Sequence, residues 1–151
     1  MSLKYLIKGD ISGIQNFIFN VQSKSAAKTL KAKSFFIEAI GWLAERKIKE
    51  VFKNARCNYN GGGNFYIEVD QNEWNAKEFT SLQEEFKTTF AHETITLCLT
   101  FMECATDKTY SDWLIQINKL SGKNKLSLFN NLSYSTPFFL PYTDKTKMIR
   151  M

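Results

Sequence analysis

The sequence is poor in the residues that many catalytic sites require, with one histidine and three cysteines among its 151 residues. The lone histidine, His92, has no partner for a histidine-based zinc site or for a nucleophile that needs a histidine base. The cysteines, Cys57, Cys98 and Cys104, form no C-x-x-C pair, and their odd number argues against a disulfide framework. We therefore expect small buried apolar cysteines, and most hydrolase templates are excluded.

Long apolar runs, proline and glycine are scarce as well. No apolar run approaches the roughly 20 residues of a membrane span, and residues 1–10 lack the apolar region of a signal peptide, so we expect a cytoplasmic protein with no membrane partner. Two prolines and seven glycines exclude collagen-like and low-complexity chains, whereas 13 phenylalanines and 44% hydrophobic residues favour one globular domain.

Positive charge is concentrated in parts of the chain. The formal net charge is +5, and residues 23–56 hold nine Lys/Arg against three Glu. Residues 106–151 are also basic, while residues 70–93 carry six acids against two lysines. This pattern has two interpretations, ordinary solvated helix faces or a surface for an anionic ligand, and the composition favours neither.

Hydrophobic periodicity first predicts a strand and two helices. The strand covers residues 3–7 and ends in a loop at Gly9-Asp10. Residues 13–21 are helical, and a long amphipathic helix then runs to about Lys53. Residues 23–27 are either a break between the two helices or a continuation.

A hairpin follows, with strands at residues 56–60 and 65–69 around a turn of three glycines. Asn72 is the expected N-cap of the next helix, which reaches about His92. Alternating apolar residues then predict a fourth strand at residues 95–101.

The predicted element order, β-α-β-β-α-β, is that of a ferredoxin-like α+β domain, a four-stranded antiparallel sheet with two helices on one face. We assign residues 1–105 to this domain and residues 106–151 to a C-terminal extension. The extension is predicted to hold a helix over residues 110–120, a loop over residues 121–125 and an irregular tail.

Two loops carry the candidate chemistry. The first, Gly9-Asp10-Ile11-Ser12-Gly13, places backbone N–H groups at a helix N-terminus, which suits a phosphate. Asp10 is a candidate ligand of a divalent metal, and Ser12 a candidate phosphate contact. In the competing interpretation both residues are helix caps, for which Asp and Ser are preferred.

The second loop is the glycine turn within residues 60–64. Glycine permits close approach of a ligand to the backbone, although a loose turn explains it equally simply. In a ferredoxin-like sheet the first and third strands are neighbours, so both loops should lie at one edge. Together they resemble the palm domain of nucleotidyl cyclases, diguanylate cyclases and polymerases, which hold two metals between an aspartate after strand one and an acidic pair in a Gly-Gly-Asp hairpin. Here the hairpin continues with Asn64 and Phe65, so we expect no complete two-metal site within this chain.

A closer resemblance rests on three motifs in the same order. They are Gly9-Asp10-Ile11-Ser12-Gly13-Ile14-Gln15-Asn16-Phe17-Ile18, then residues 27–36 (Ala-Lys-Thr-Leu-Lys-Ala-Lys-Ser-Phe-Phe), and residues 58–66 (Asn-Tyr-Asn-Gly-Gly-Gly-Asn-Phe-Tyr). Over residues 3–104 the chain resembles the first palm domain of the large signature subunit of type III-A CRISPR effector complexes. Family members are longer, so the chain is a split subunit, a degenerate relative or a fragment.

The resemblance implies a composite site for ATP with Mg²⁺ or Mn²⁺, shared with a second palm that carries an intact Gly-Gly-Asp-Asp hairpin and makes cyclic oligoadenylate. Other CRISPR effector subunits, crRNA and target RNA are the further implied partners. The implied nucleotide-binding residues are Asp10, Ile11, Ser12, Gly13, Lys31, Lys33, Ser34, Gly61, Gly62, Gly63 and Asn64. Asp10 is also the implied metal-proximal residue, and the chain alone is not expected to be active.

Two other functions remain open. Lys24, Lys28 and Lys31 are spaced to form one basic helix face that binds RNA phosphates, so the chain would be a non-enzymatic assembly module. A self-sufficient cyclase in a symmetric homodimer is the third hypothesis, weakened by the missing acidic pair. The aromatic residues do not form a stacking platform in the sequence, and we assign these to the core: Phe17, Phe35, Phe36, Phe65 and Tyr66.

Overall fold

The computed structural model describes residues 3–90, 92 and 94–135, with side chains described up to residue 127. These residues form four strands and four helices. In chain order they are β1 (Lys4–Ser12), α1 (Ile14–Phe19), α2 (Ala26–Val51), β2 (Arg56–Gly61), β3 (Asn64–Asp70), α3 (Ala76–Thr89), β4 (Thr96–Cys104) and α4 (Tyr110–Ser135).

The four strands form one antiparallel sheet in the order β2-β3-β1-β4. β1 is central and pairs with both β3 and β4, as the ferredoxin-like prediction requires. Glu68 on β3 links the strands further, since it accepts hydrogen bonds from Lys4 Nζ at 2.8 Å and Asn58 Nδ2 at 2.7 Å. The predicted α+β palm fold is thereby confirmed.

The two faces of the sheet are covered by different helices. On one face α1, α2 and α3 enclose the main core, to which β1 contributes Ile7 and Ile11. On the other face α4 packs on a smaller apolar cluster that includes Leu6, Met102 and Ile117. Because side chains alternate along a strand, β1 presents one set of residues to each group of helices.

Three predicted boundaries are wrong. The loop expected at Gly9-Asp10 is part of β1, since both residues pair with β3 and β4. The N-cap of α3 is Asn75, whose side chain accepts from two backbone N–H groups, and Asn72 lies in the preceding turn. Residues 121–125 continue α4, as do residues 126–135 of the predicted irregular tail, and the rest of that tail lies outside the described residues.

Each error has a physical cause. The apolar alternation of β1 is interrupted at Gly9, which takes the core-facing position between Ile7 and Ile11, so the pattern no longer marks the second half of the strand. Glycine is needed at position 9 of the strand because a Cβ there would lie 2.0 Å from the ring of Phe65. Within α4, Ser121 is buried at the sheet, although serine is typical of loops.

The aromatic core is smaller than expected. Phe17 and Phe65 are buried, but Phe35 is 64% exposed and Phe36 38% exposed on α2. Cys98 and Cys104 are buried free thiols, and Cys57 is half-buried. Among the described residues, no helix is long and apolar enough to cross a membrane.

Candidate nucleotide-binding site

The glycine hairpin is a tight turn, not a loose one. Gly61 pairs with Asn64, which leaves Gly62 and Gly63 as a two-residue turn. Both have positive φ, +60° and +84°, as the favoured two-residue hairpin turns require. A Cβ on Gly63 would lie only 2.2 Å from Ile14 Cδ1, so the turn sits directly on the start of α1.

The end of β1 lies against this turn. Ile11 N–H donates to the Gly63 carbonyl at 2.8 Å, which brings the two predicted loops together. Gly13 begins α1 with φ +82° and no side-chain cap, so the capping role considered for Ser12 is wrong. A Cβ at Gly13 would lie 2.1 Å from the Thr94 carbonyl oxygen, which explains why glycine stands there.

Asp10 points to the α4 face of the sheet and is nearly buried, at 9% exposure. One carboxylate oxygen, Oδ2, lies 2.6 Å from Lys125 Nζ and 3.3 Å from Lys8 Nζ. Lys8 Nζ also donates to Asn118 Oδ1 at 2.8 Å, a second contact between β1 and α4. Asp10 is therefore a carboxylate neutralised by two lysines.

This arrangement does not fit the divalent metal expected at Asp10. Two ammonium groups already occupy the carboxylate, and a dication beside them would be repelled by both. No group of three His, Cys, Asp or Glu residues that could hold a metal occurs within the part of the chain that the structure describes. Asn64, which pairs with Asp10 across the sheet, offers only a neutral amide, and Phe65 is buried in the main core.

The residues of α2 that were predicted to bind nucleotide do not lie beside the Asp10 carboxylate. Lys31 and Ser34 are exposed on α2, on the opposite side of the sheet from the Asp10 carboxylate. Lys33 donates to the carbonyls of Phe17 at 2.7 Å and Asn20 at 2.9 Å, so its ammonium group is held by the end of α1.

The predicted basic helix face is shorter than expected. Lys28 and Lys31 lie exposed on α2, but Lys24 precedes the helix in a turn that ends at Ser25, which has φ +72°. This turn decides between the two predictions for residues 23–27 in favour of a break. Lys24 thus lies beside the N-terminus of α2 and not on its face.

A cluster that sequence reasoning missed fixes the hairpin to α2. Asn60 Nδ2 donates to the Gly41 carbonyl at 3.1 Å and to Glu45 Oε2 at 2.7 Å. A Cβ on Gly41 would lie 2.7 Å from Asn60 Oδ1, so only glycine admits this contact. Burial alone would raise the pKa of Glu45, but hydrogen bonds from Asn60 and Lys49 lower it. Burial, reinforced by Glu45, raises the pKa of the Cys57 thiol to about 11.

The signal for this cluster was present in the sequence as a glycine in the middle of a long helix, which usually marks a close packing contact. The other missed residues, Lys8, Asn118 and Lys125, had no such signal. They are distant in sequence and meet only because α4 folds back across the sheet.

Three features define a palm domain of the cyclase and GGDEF kind. They are the strand order, the central position of β1, and the Gly-Gly turn between β2 and β3 that lies against the end of β1. The family described as Csm1 subunit domain B matches residues 3–139. The chain belongs to this family, which confirms the resemblance drawn from the three motifs.

Known proteins agree with this placement. The subtype III-A CRISPR system single-strand-specific deoxyribonuclease Cas10/Csm1 of Enterococcus italicus is 28% identical over 148 residues, which cover 83% of this chain and 19% of that protein. The chain thus spans about a fifth of the length of the curated relative it matches. The GGDEF domain of DgcB from Caulobacter crescentus, solved with c-di-GMP, has a TM-score of 0.58 at 10% identity, covering 83% of this chain and 74% of its own.

Two solved Csm1-Csm4 cassettes are similar to the chain as well. The cassette in complex with cA3 has a TM-score of 0.70 at 24% identity and covers 82% of this chain and 19% of that one. The cassette in complex with one ATP has a TM-score of 0.61 at 25% identity and covers 85% and 19%. These complexes hold nucleotides and a second Csm subunit.

Proposed function

We propose that this chain is a catalytically incomplete palm that binds ATP and pairs with a second palm, whose intact Gly-Gly-Asp-Asp hairpin carries out cyclic oligoadenylate synthesis in antiviral defence. The observation that carries the proposal is a palm framework that lacks the acidic pair of the hairpin and pairs its remaining carboxylate, Asp10, with two lysines. The turn at Gly62-Gly63 and the end of β1 keep the palm geometry, while Asn64 and the lysine-paired Asp10 replace the metal ligands.

The metal chemistry of this proposal belongs to the partner palm. Mg²⁺ or Mn²⁺ bound there would align the attacking hydroxyl with the triphosphate. This chain would contribute a surface of backbone groups at the end of β1 and in the glycine turn, which can approach a ligand closely because the turn carries no side chains. The cassettes that hold ATP and cA3 support nucleotide handling by palms of this family.

The test is an ATP titration of the ¹⁵N-labelled chain, followed by backbone amide chemical shifts. We expect the largest changes at Ser12, Gly13 and the hairpin residues 61–64, and small changes at the far end of the sheet near Lys4. The variant Gly62→Asn keeps a residue that tolerates positive φ but adds a side chain to the exposed turn, so it should weaken ATP binding. A matched control is Gly122→Asn, since no atom lies within 4 Å of a Cβ at Gly122. An ATP titration without shifts at the hairpin would contradict the proposal.

A second candidate, an RNA-binding assembly module, is favoured by α2. Lys28 and Lys31 are exposed on α2, and Lys24 is exposed just before it. The same helix exposes Phe35 and Trp42, whose ring centroids lie 6.1 Å apart. RNA affinity should then fall steeply with salt, and the double change Lys28→Ala with Lys31→Ala should reduce the salt slope by about 1–2. Binding that the double variant leaves unchanged would eliminate this candidate.

A further inference from the structure

An aromatic groove of about 600 Å³ lies between the β2–β3 hairpin and the first turns of α4. Its lining includes four aromatic rings, an amide and a carboxylate: Tyr59, Tyr66, Tyr110, Trp113, Asn58 and Glu68. The volume lies within the roughly 300–1,000 Å³ of small-molecule sites. None of these six residues was predicted to bind ATP, so the groove is a surface of its own.

Hydrogen bonds hold the two sides of the aromatic groove together. Asn58 Nδ2 on β2 donates to the Tyr110 hydroxyl at 3.1 Å, which fixes the start of α4. The Tyr66 hydroxyl on β3 donates to Asn118 Oδ1 at 2.8 Å, one turn further along the same helix. Both strands are thus tied to α4, and the groove is formed before any ligand binds.

The rings of the groove are not stacked on one another. Tyr59 and Tyr66 are inclined by 49°, and Tyr110 and Trp113 meet edge to face at 76°. Tyr59 is 54% exposed and Tyr110 is 37% exposed. Their ring faces are therefore open to a planar group, and offset stacking on such faces is favourable.

The charge of the groove disfavours an ionic ligand. Glu68 Oε2 lies 2.8 Å from Lys4 Nζ, and its Oε1 accepts from Asn58 at 2.7 Å, so both carboxylate oxygens are occupied. A cation would have to displace Lys4 from this carboxylate. Among the lining residues that the structure describes, no lysine or arginine is present to hold a phosphate. An uncharged ligand is favoured.

The groove also presents free hydrogen-bonding groups. Within the part of the chain that the structure describes, the Tyr59 hydroxyl makes no hydrogen bond. The Tyr110 hydroxyl accepts from Asn58 and keeps its own proton to donate, and the Asn58 amide oxygen remains as an acceptor. An uncharged planar ring with donors and acceptors along its edge matches this set. A nucleobase is such a ring.

We propose that the aromatic groove binds one unpaired nucleobase, which stacks on the Tyr59 ring and is hydrogen-bonded at its edge by Asn58 and Tyr110. The base belongs to a free nucleotide or to a single strand, since both present the same ring. Periodicity did not predict this platform because its rings come from β2, β3 and α4 and meet only in the fold. The inference does not depend on the proposed ATP site, which uses backbone groups of the glycine turn and the end of β1.

The experiment follows the indole N–H signals of the full ¹⁵N-labelled chain during titration with adenosine, ribose 5-phosphate, arginine amide and an RNA of six adenosines. We expect adenosine and the RNA to shift the Trp113 signal. The Trp42 signal should stay constant with adenosine, because Trp42 is exposed on α2, on the other face of the sheet.

Variants of Tyr59 test the stacking directly. Tyr59→Leu should weaken adenosine binding by about tenfold through the lost stacking contact, and Tyr59→Phe should keep the affinity within about threefold. Neither variant should unfold, because half of the Tyr59 side chain is exposed. The matched control is Phe19→Leu, which removes a 75% exposed ring from α1 and should leave adenosine binding unchanged.

Four results would overturn the nucleobase site. They are an unmoved Trp113 signal with adenosine, full affinity in Tyr59→Leu, an equal shift with ribose 5-phosphate, which has no base, and tighter binding of arginine amide than of adenosine. The last result would assign the groove to an arginine side chain of a partner protein.

The remaining outcomes identify the source of the base. RNA that binds at least tenfold more tightly than adenosine indicates a single strand, and equal affinity indicates a free nucleotide; both support the site. Trp113 shifts with adenosine, without hairpin shifts in the ATP titration, support this site while the proposed function fails. Hairpin shifts with ATP and an unmoved Trp113 signal have the opposite meaning.

Discussion

Replacing Asp10 by asparagine tests whether this residue is an ion-pair partner or a metal ligand. In the structure, the change leaves the buried Lys8 ammonium and the Lys125 ammonium without their shared carboxylate. If Asp10 were instead a carboxylate in a vacant metal site, its replacement would not lower the stability of the fold, because no charge would be left unpaired. The two interpretations therefore differ in the sign of the change in stability.

The expected magnitude follows from burial. Removing one partner of a buried ion pair costs about 3–5 kcal/mol. Lys8 keeps its hydrogen bond to Asn118, and the half-buried Lys125 can turn toward solvent, so we expect the low end, about 3 kcal/mol. That is a large share of the roughly 5–15 kcal/mol that stabilises a typical domain.

Urea denaturation followed by circular dichroism measures this loss. With a slope of about 2 kcal/mol/M, the midpoint of Asp10→Asn should fall by about 1.5 M. Asp107→Asn, in an exposed turn, is the charge-matched control and should stay within about 0.5 kcal/mol of the natural protein. An Asp10→Asn variant that is equally or more stable would refute the ion-pair account.

Three further changes test other parts of the structure by the same denaturation assay. Gly63→Ala should cost about 2–4 kcal/mol because strain at positive φ adds to a clash with α1, whereas Gly62→Ala should cost only about 1 kcal/mol; equal losses would contradict the packing of the turn. Asn75→Ala should cost about 1 kcal/mol through the lost helix cap, and an unchanged midpoint would show that the cap contributes nothing. Burial alone would raise the pKa of Glu68, but its hydrogen bonds lower it, so its stabilisation is present above the unfolded pKa and is lost as pH falls through the folded one. Glu68→Gln should therefore cost about 1 kcal/mol at pH 7 and nothing at pH 2, and a loss that persists in acid would contradict the ion pair.

The order of elements was predictable because each core helix and strand has a strong local signal. Ile7 and Ile67 stand in alternating runs, and Ile40, Ala44 and Ile48 recur at helical spacing, so period alone locates the sheet and the long helix. The boundaries failed where a tertiary contact replaced the local signal. Asn72 and Asn75 are both good caps, and the hydrogen bonds of α3 alone decide between them.

The candidate site was predictable only in part. The positions of the glycine turn and the end of β1 follow from the topology, because strands one and three are neighbours in this fold. The partners of Asp10 do not follow, since Lys125 is more than 100 residues away and lies in a part of α4 that was predicted to be a loop. A metal was expected at Asp10 because carboxylates at strand ends often bind metals, and only the folded chain shows two lysines there.

The central claim is that this palm binds nucleotide and does no metal-dependent chemistry by itself. One NMR sample tests this claim directly: the ¹⁵N-labelled chain with ATP in a buffer that contains Mg²⁺ and no Mn²⁺. The amide chemical shifts report ATP binding, and the ³¹P signals report ATP turnover. We predict shifts at residues 12–13 and 61–64 while the three phosphate signals of ATP stay constant for hours. Release of pyrophosphate by the chain alone, or unchanged amide shifts at the hairpin, would contradict the account.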